Sequence, residues 1–401
     1  MEKKFYYINI EWKLILTYEA NLCFLTLMQN NSEIQYSNKF SIDYLQSINI
    51  KAQNNFKAII EFSIKQNEFI IKENKNSINL TIKNLYQNSN ELIFNLFKID
   101  TKEIKKVNCN NIKTINAYDD GTVTSLSIFP SGNIVSVSDN KSITIFDNEF
   151  NTLQIIKNAH DDSIYYVNVK DENNFATCSR DKNIKTCIKK GNEFNLNELI
   201  INAHNDSIRK IQYDLNGNLI SSSMDNTLKI WEEINNLHQC VTILTHSSII
   251  CSILLLIDKN MLITGGKDGI KIWNSYNYEL ISYVNKIECG SPDSLCRINE
   301  DKIIVGGLND NKLKIISLSE KKFIKEINNQ FKSFTIYSLI DKAIFLVGGR
   351  SNDINIFRSD NYECLQTIKK AHNRFIKGFI RLNEFILSYS IDGKIKIWKF
   401  E

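Results

Sequence analysis

One short pattern recurs along the 401 residues at near-constant spacing: an Ala-His or Thr-His dipeptide, an Asp about twenty residues later, and a strand-like run after it. The dipeptides are Ala159-His160, Ala203-His204, Thr245-His246 and Ala371-His372, so the His-to-His steps are 44, 42 and 126, the last being three times 42. Two copies between His246 and His372 have lost the His and kept the period. The His-to-Asp distance is held as well, at 21 for Asp181, 21 for Asp225, 22 for Asp268 and 20 for Asp392. A chain built this way must fold by repeating one small supersecondary unit.

The best copies can be read residue by residue. After Ala203-His204 come Ile208 and Ile211, the turn Asn216-Gly217-Asn218, a strand over 219–223, the turn Asp225-Asn226 and the run Leu228-Lys229-Ile230-Trp231. The last copy repeats this with Ala371-His372, Ile376, Asn383-Glu384, a strand over 385–390, Asp392-Gly393 and Ile395-Lys396-Ile397-Trp398. These residues and the period of about 40 to 45 resemble the WD-repeat (WD40) family, whose repeats each make a four-stranded blade of a β-propeller. The resemblance implies a buried network in each blade, joining the His of the d–a loop, a Ser or Thr of strand b, the Asp of the b–c turn and the Trp of strand c. His204, Ser221, Asp225 and Trp231 would form one set, His246, Thr264, Asp268 and Trp273 a second, and His372, Ser388, Asp392 and Trp398 a third. His160 and Asp181 would begin a fourth, with Cys187 in the Trp place.

Such a set satisfies groups that burial would otherwise leave dry, each at a cost of about 1 to 3 kcal/mol. The repeated histidines therefore read as loop anchors rather than metal ligands or catalytic bases. Degenerate copies complete the ring. In the first, Tyr118 stands in the His place, Phe146 in the Trp place and Asn140, with Asp139 one step off, in the Asp place. A fifth runs near 295–317 with Gly306-Gly307, Asp310 and Ile316, and a sixth near 333–358 with Gly348-Gly349, Ser351 and Phe357. The total is seven blades over 101–401. The sequence stops three residues after Trp398, one strand short, so the segment 111–116 is expected to supply the last strand and cover an open sheet edge.

Residues 1–100 lack the period and read as a separate α+β domain of no recognised family. Strands are expected over 5–10, 12–18, 22–28, 69–72, 78–82 and 92–99, and helices over 41–48 and 55–65, the second with Phe56, Ile59, Ile60, Ser63 and Ile64 on one face. The fold class is thus mainly β: a seven-bladed propeller behind a small α+β domain.

Composition sets outer bounds on function. A net charge of +4 lacks the basic excess that a nucleic-acid surface shows. The nine cysteines include no Cys-x-x-Cys pair, which argues against zinc and against a disulfide framework. The start of the sequence does not read as a signal peptide, since Glu11 and Lys13 break its apolar stretch, and the longest apolar run, 249–257, is about half a membrane span. A cytoplasmic protein is expected, with the nucleus as an alternative. No Gly-x-Ser-x-Gly, phosphate-binding glycine loop, His-Glu-x-x-His or cysteine nucleophile signature occurs, so no catalytic residue, metal or cofactor is expected.

The WD resemblance implies a non-enzymatic scaffold or adaptor that binds other proteins. An alternative is the substrate receptor of a ubiquitin ligase, although residues 1–100 lack the Leu-Pro-rich helical pattern of an F-box. A propeller enzyme would need perturbed titratable groups gathered at one channel mouth. The expected binding face carries the d–a and b–c loops, where Arg180, Met224, Lys267, Asn309 and Arg350 precede the turn Asp or its equivalent. Arg209 and Lys377, five residues after their histidines, would meet Tyr165 and Cys251 at the mouth. That basic ring with an aromatic member suits an acidic or phosphorylated peptide.

Overall fold

The computed structural model describes residues 2–7, 10–19, 22–29, 34–41, 69–74, 77–83, 91–100 and 107–400, apart from 215, 286, 308–311 and 329–332. The chain divides into two compact units, one of Met1–Lys105 with Ile257–Lys259 and one of Lys106–Leu256 with Asn260–Glu401.

In the first unit, the described residues form a seven-stranded antiparallel sheet in the order Glu2–Tyr7, Ile10–Glu19, Leu22–Gln29, Ile34–Ser41, Glu91–Asp100, Ser77–Lys83 and Phe69–Asn74. Strand Ile34–Ser41 was not expected from the sequence. Its alternation of Ile34, Tyr36 and Phe40 with polar residues is interrupted by Asn38 in an apolar place. Ser41, expected to open a helix, instead ends this strand; the rest of that helix and the whole helix expected over 55–65 lie outside the described residues.

The second unit holds seven four-stranded antiparallel sheets, the blades of a propeller. Strands a to d of blade one are Val123–Ile128, Ile134–Ser138, Ile143–Phe146 and Thr152–Ile156. Blade seven takes strands a to c from Ile376–Leu382, Phe385–Ser390 and Lys394–Phe400, and strand d from Cys109–Asn116, which precedes blade one. Ile395 faces Ile115 and Lys396 faces Thr114 in that pairing, which joins the two ends of the ring.

Each blade is a sheet with both faces covered, so the core is a set of wedges between neighbours. Val135, Val137 and Ile143 of blade one pack with Ile164, Val167 and Phe175 of blade two. Val123 and Leu126 close the circle against Leu387, Tyr389 and Ile395 of blade seven. The b strands are buried along all or nearly all of their length, which is why they read as apolar residues mixed with very small ones: Ile134–Ser138 is IVSVS and Leu219–Ser223 is LISSS. At Gly265 the approach is so close that a Cβ would lie 2.4 Å from the Cys289 sulfur. Strand d is the exposed rim, and side chains clasp one rim strand to the next. The Gln154 amide exchanges two hydrogen bonds with the backbone of Phe194, at 2.9 and 2.8 Å. The Glu198 carboxylate accepts from the backbone N–H of His238 at 2.8 Å and pairs with its ring.

Candidate functional site

Donor and acceptor accounting fixes the blade networks. Trp231 Nε1 can only donate, and it donates to Ser221 Oγ at 2.8 Å. The Ser221 hydroxyl then has its proton free for His204 Nε2, 2.7 Å away, which leaves His204 Nδ1 to donate to Asp225 at 3.0 Å. Asp225 also accepts from the backbone N–H groups of Asn205 and Thr227, tying the d–a loop to the b–c turn. The relay repeats through Trp273, Thr264, His246 and Asp268, and through Trp398, Ser388, His372 and Asp392. It requires a neutral imidazole. Burial accordingly lowers the pKa of His204, His246 and His372, against the opposing pull of each Asp. Burial alone would raise the carboxylates, but the His bonds and backbone donors overcome it and hold Asp181 and Asp392 at about 2.

In blade two, His160 bonds Asp181 at 2.8 Å and Thr177 at 2.9 Å, while Cys187 sits buried in the Trp place. Thr177 was not singled out from the sequence, although it stands 17 residues after its His, as Ser221 does. In blade one, Asn140 occupies the turn. Its carbonyl accepts from Ser142 N at 3.1 Å and its amide donates to Asp120 O, replacing the Asp without a His relay.

A second feature is written in strand register. In six blades the pairing of strands a and b slips by one residue at the second position of strand a, which makes Thr124, Tyr165, Arg209, Cys251, Phe334 and Lys377 bulge residues. Bulges re-aim side chains, and Thr124, Tyr165, Arg209, Cys251 and Lys377 stand at corresponding places around the channel. The Arg209 guanidinium lies 4.8 Å above the Tyr165 ring. It is close enough to Cys251 and Lys377, from blades four and seven, to act on the pKa of both. Lys377 is exposed, yet the surrounding protein and then Arg209 lower its pKa. Arg209 Nε is buried with no hydrogen-bond partner among the described residues.

The outer basic positions are a different environment. Arg180 is exposed and sits 3.6 Å from Asp162. Lys267 is exposed, Met224 is half-buried, and exposed Arg350 lies over the Phe375 ring at 5.7 Å. Asn309 lies outside the described residues. The structure thus brings Tyr165, Arg209, Cys251 and Lys377 together and leaves Arg180, Lys267 and Arg350 on the surrounding loops.

One layer below the mouth is a group that the sequence reading missed. Strand a of blade five is only Leu295–Arg297, and the loop before it sends Pro292 and Asp293 inward. The Asp293 carboxylate accepts from Tyr166 Oη at 2.9 Å, Tyr389 Oη at 2.9 Å and Lys210 Nζ at 3.0 Å. Pro292 O accepts from Lys210 Nζ at 2.8 Å and Ser252 Oγ at 2.6 Å, and Asp293 O from Ile336 N at 2.7 Å. Burial, then the Asp293 charge, drives both tyrosines well above the ordinary phenol pKa, so they act here as fixed donors. A signal was available: Pro292 is one of two prolines in the chain, inside Gly290-Ser291-Pro292-Asp293, where the period leads one to expect a strand soon after a d–a loop.

Among the described residues no His, Cys, Asp and Glu cluster could hold a metal ion, and no helix is long and apolar enough to cross a membrane. No curated protein matches the chain. The family model for the WD domain, G-beta repeat, matches residues 109–147 and 197–232. Both matches begin on or within the d strand of one blade and end in or just after the c strand of the next, so the sequence repeat runs one strand out of phase with the blade. With these repeats set in seven four-stranded blades, the chain is a WD40 β-propeller protein.

Proposed function

We propose that the protein is a non-enzymatic interaction module, a scaffold or adaptor that holds an acidic or phosphorylated segment of a protein partner at the channel mouth. The observation carrying this reading is the Arg209 guanidinium over the Tyr165 ring, its Nε buried without a hydrogen-bond partner among the described residues, at the same strand position as Lys377 of blade seven and near enough to lower the pKa of that lysine. Two positive charges at one mouth repel, and an incoming anion relieves that repulsion while an Arg can pair with it bidentately. The perturbed tyrosines below do not argue for catalysis, since their protons are spent on Asp293.

Partner capture by the full chain tests this. Arg209→Gln/Lys377→Gln should lose the partners that wild type captures, with an unchanged melting temperature. Arg180→Glu/Lys267→Glu/Arg350→Glu should weaken capture through the surrounding field, in a salt-dependent way. If both variants capture the same partners as wild type, the mouth is not the contact surface. The outer strands of blades one to three, which expose Leu153, Ile155, Leu196, Leu199, Val241 and Ile243, then become the better candidate.

A further inference from the structure

A propeller is expected to enclose a channel open at both ends. Here the chain crosses its own channel. The backbone and side chain of Pro292–Asp293 bond to strand a of blades two, three, four and six, through Tyr166, Lys210, Ser252 and Ile336, and to Tyr389 of blade seven. Two consecutive residues can reach five blades only from the ring axis. The bonds fall one or two residues beyond the bulge positions along strand a, so the crossing lies about 3 to 7 Å below the mouth. Lys210, whose side chain is only 10% exposed, has its ammonium held by both the Pro292 carbonyl and the Asp293 carboxylate.

We infer that the Pro292–Asp293 crosspiece closes the channel beneath Arg209 and Lys377, making the mouth a blind cup for one short anionic group entering from a single face, and that Asp293 sets the cup's charge by neutralising Lys210. The second half of this rests on the mouth being the ligand site; the closure does not. A blind cup selects for a side-chain end, a phosphoryl or carboxylate group, and against a threaded chain. Asp293 also works against the ligand: it places a negative charge under an anion site, held there by two tyrosines and a lysine. The neutral amide of Asp293→Asn keeps an acceptor for a tyrosine hydroxyl and removes that charge.

The test uses the full chain as wild type, Asp293→Asn, Lys210→Met/Asp293→Asn and Arg209→Gln/Lys377→Gln. A small amine-acetylating reagent with mass-spectrometric readout reports closure, and calorimetry with pyrophosphate and with succinate reports the cup. In wild type, Lys377 should acetylate at least about tenfold faster than Lys210, and Asp293→Asn should raise the Lys210 rate. Pyrophosphate or succinate should bind Asp293→Asn about tenfold more tightly than wild type, the effect of one unit charge removed nearby at intermediate dielectric, and Lys210→Met/Asp293→Asn should return toward the wild-type value. Whichever of the two anions responds identifies the group. Lys210 and Lys377 reacting at equal rates in wild type would overturn the closure, and this readout stands even if Asp293→Asn does not fold. Anion binding that depends on Arg209 and Lys377 yet ignores Asp293→Asn would overturn the charge-setting role alone. Anion binding indifferent to Arg209→Gln/Lys377→Gln would overturn the mouth as a ligand site and leave the closure to the acetylation result.

Discussion

Gly378 and Tyr389 pair across the first two strands of blade seven, and a Cβ on Gly378 would lie 2.0 Å from the Tyr389 hydroxyl oxygen. The missing side chain at 378 is therefore what lets the phenol reach the axis and donate to Asp293 at 2.9 Å. Gly378→Ala should push the ring away, break that bond and destabilise the fold by about 1 to 3 kcal/mol, the range for overpacking a filled core. Tyr389→Phe keeps the ring and loses only the hydroxyl, so it should cost about 1 kcal/mol plus whatever Asp293 loses in satisfaction. Denaturant titration measures both. A Gly378→Ala variant as stable as wild type would mean that the ring has another place to go.

The relays predict unequal costs between intact and degenerate blades. Asp225→Ala strips the partner from buried His204 and from two loop amides, and should cost about 2 to 4 kcal/mol through a broken buried network. Asn140→Ala removes a turn contact in a blade without a His and should cost about 1 kcal/mol. Trp231→Ala adds a cavity and should cost about 3 to 5 kcal/mol. Equal melting shifts for Asp225→Ala and Asn140→Ala would count against the division into intact and degenerate blades.

The parts legible in the sequence were those written as repeats. A period near 42 and a His-to-Asp spacing near 21 carry over directly to blade count and relay geometry, because both are set by strand lengths that every blade shares. What the sequence hid was whatever broke the repeat. The mouth-lining character of Tyr165 and Arg209 follows from position, but the bulges that aim them are a register effect with no residue signature. Asp293 was harder still. Its partners, Tyr166, Lys210 and Tyr389, are separated from it by 127, 83 and 96 residues, and only closure of the ring makes them neighbours.

Acid should unfold the propeller in two stages. The ordinary His pKa is 6.5 and the folded values of His204, His246 and His372 lie below it. Between those limits the unfolded chain binds more protons, so the histidine contribution is complete above pH 6.5 and is lost as pH falls below that value. The Asp groups act lower down. Asp181 and Asp392 sit at about 2 against an ordinary 3.8, and Asp225 and Asp268 are also lowered, so their contribution is present above pH 3.8 and is lost as pH falls toward 2. The urea midpoint, measured from pH 8 to pH 3, should be flat above 7, decline below 6.5 and fall more steeply below 4. A midpoint constant from pH 7 to pH 5 would show that the histidines are not held neutral.

Closure of the ring rests on a strand that the chain makes before blade one. Strand Cys109–Asn116 pairs along the outer edge of Lys394–Phe400, and the Cys109 backbone N–H donates to Gln366 of blade six at 3.0 Å, so it is tied to two blades at once. Deleting residues 1–100 leaves all of this in place and should yield a soluble propeller. Deleting residues 1–116 removes the strand, exposes the backbone N–H and C=O groups of Lys394–Phe400 and leaves Ile395 and Ile397 without their cover. An uncovered apolar edge strand recruits other chains. The longer deletion should therefore aggregate, or pair edge to edge as a dimer, on size-exclusion chromatography at concentrations where the shorter one is monomeric. A soluble, cooperatively melting monomer of residues 117–401 would mean that this strand is dispensable for closing the ring.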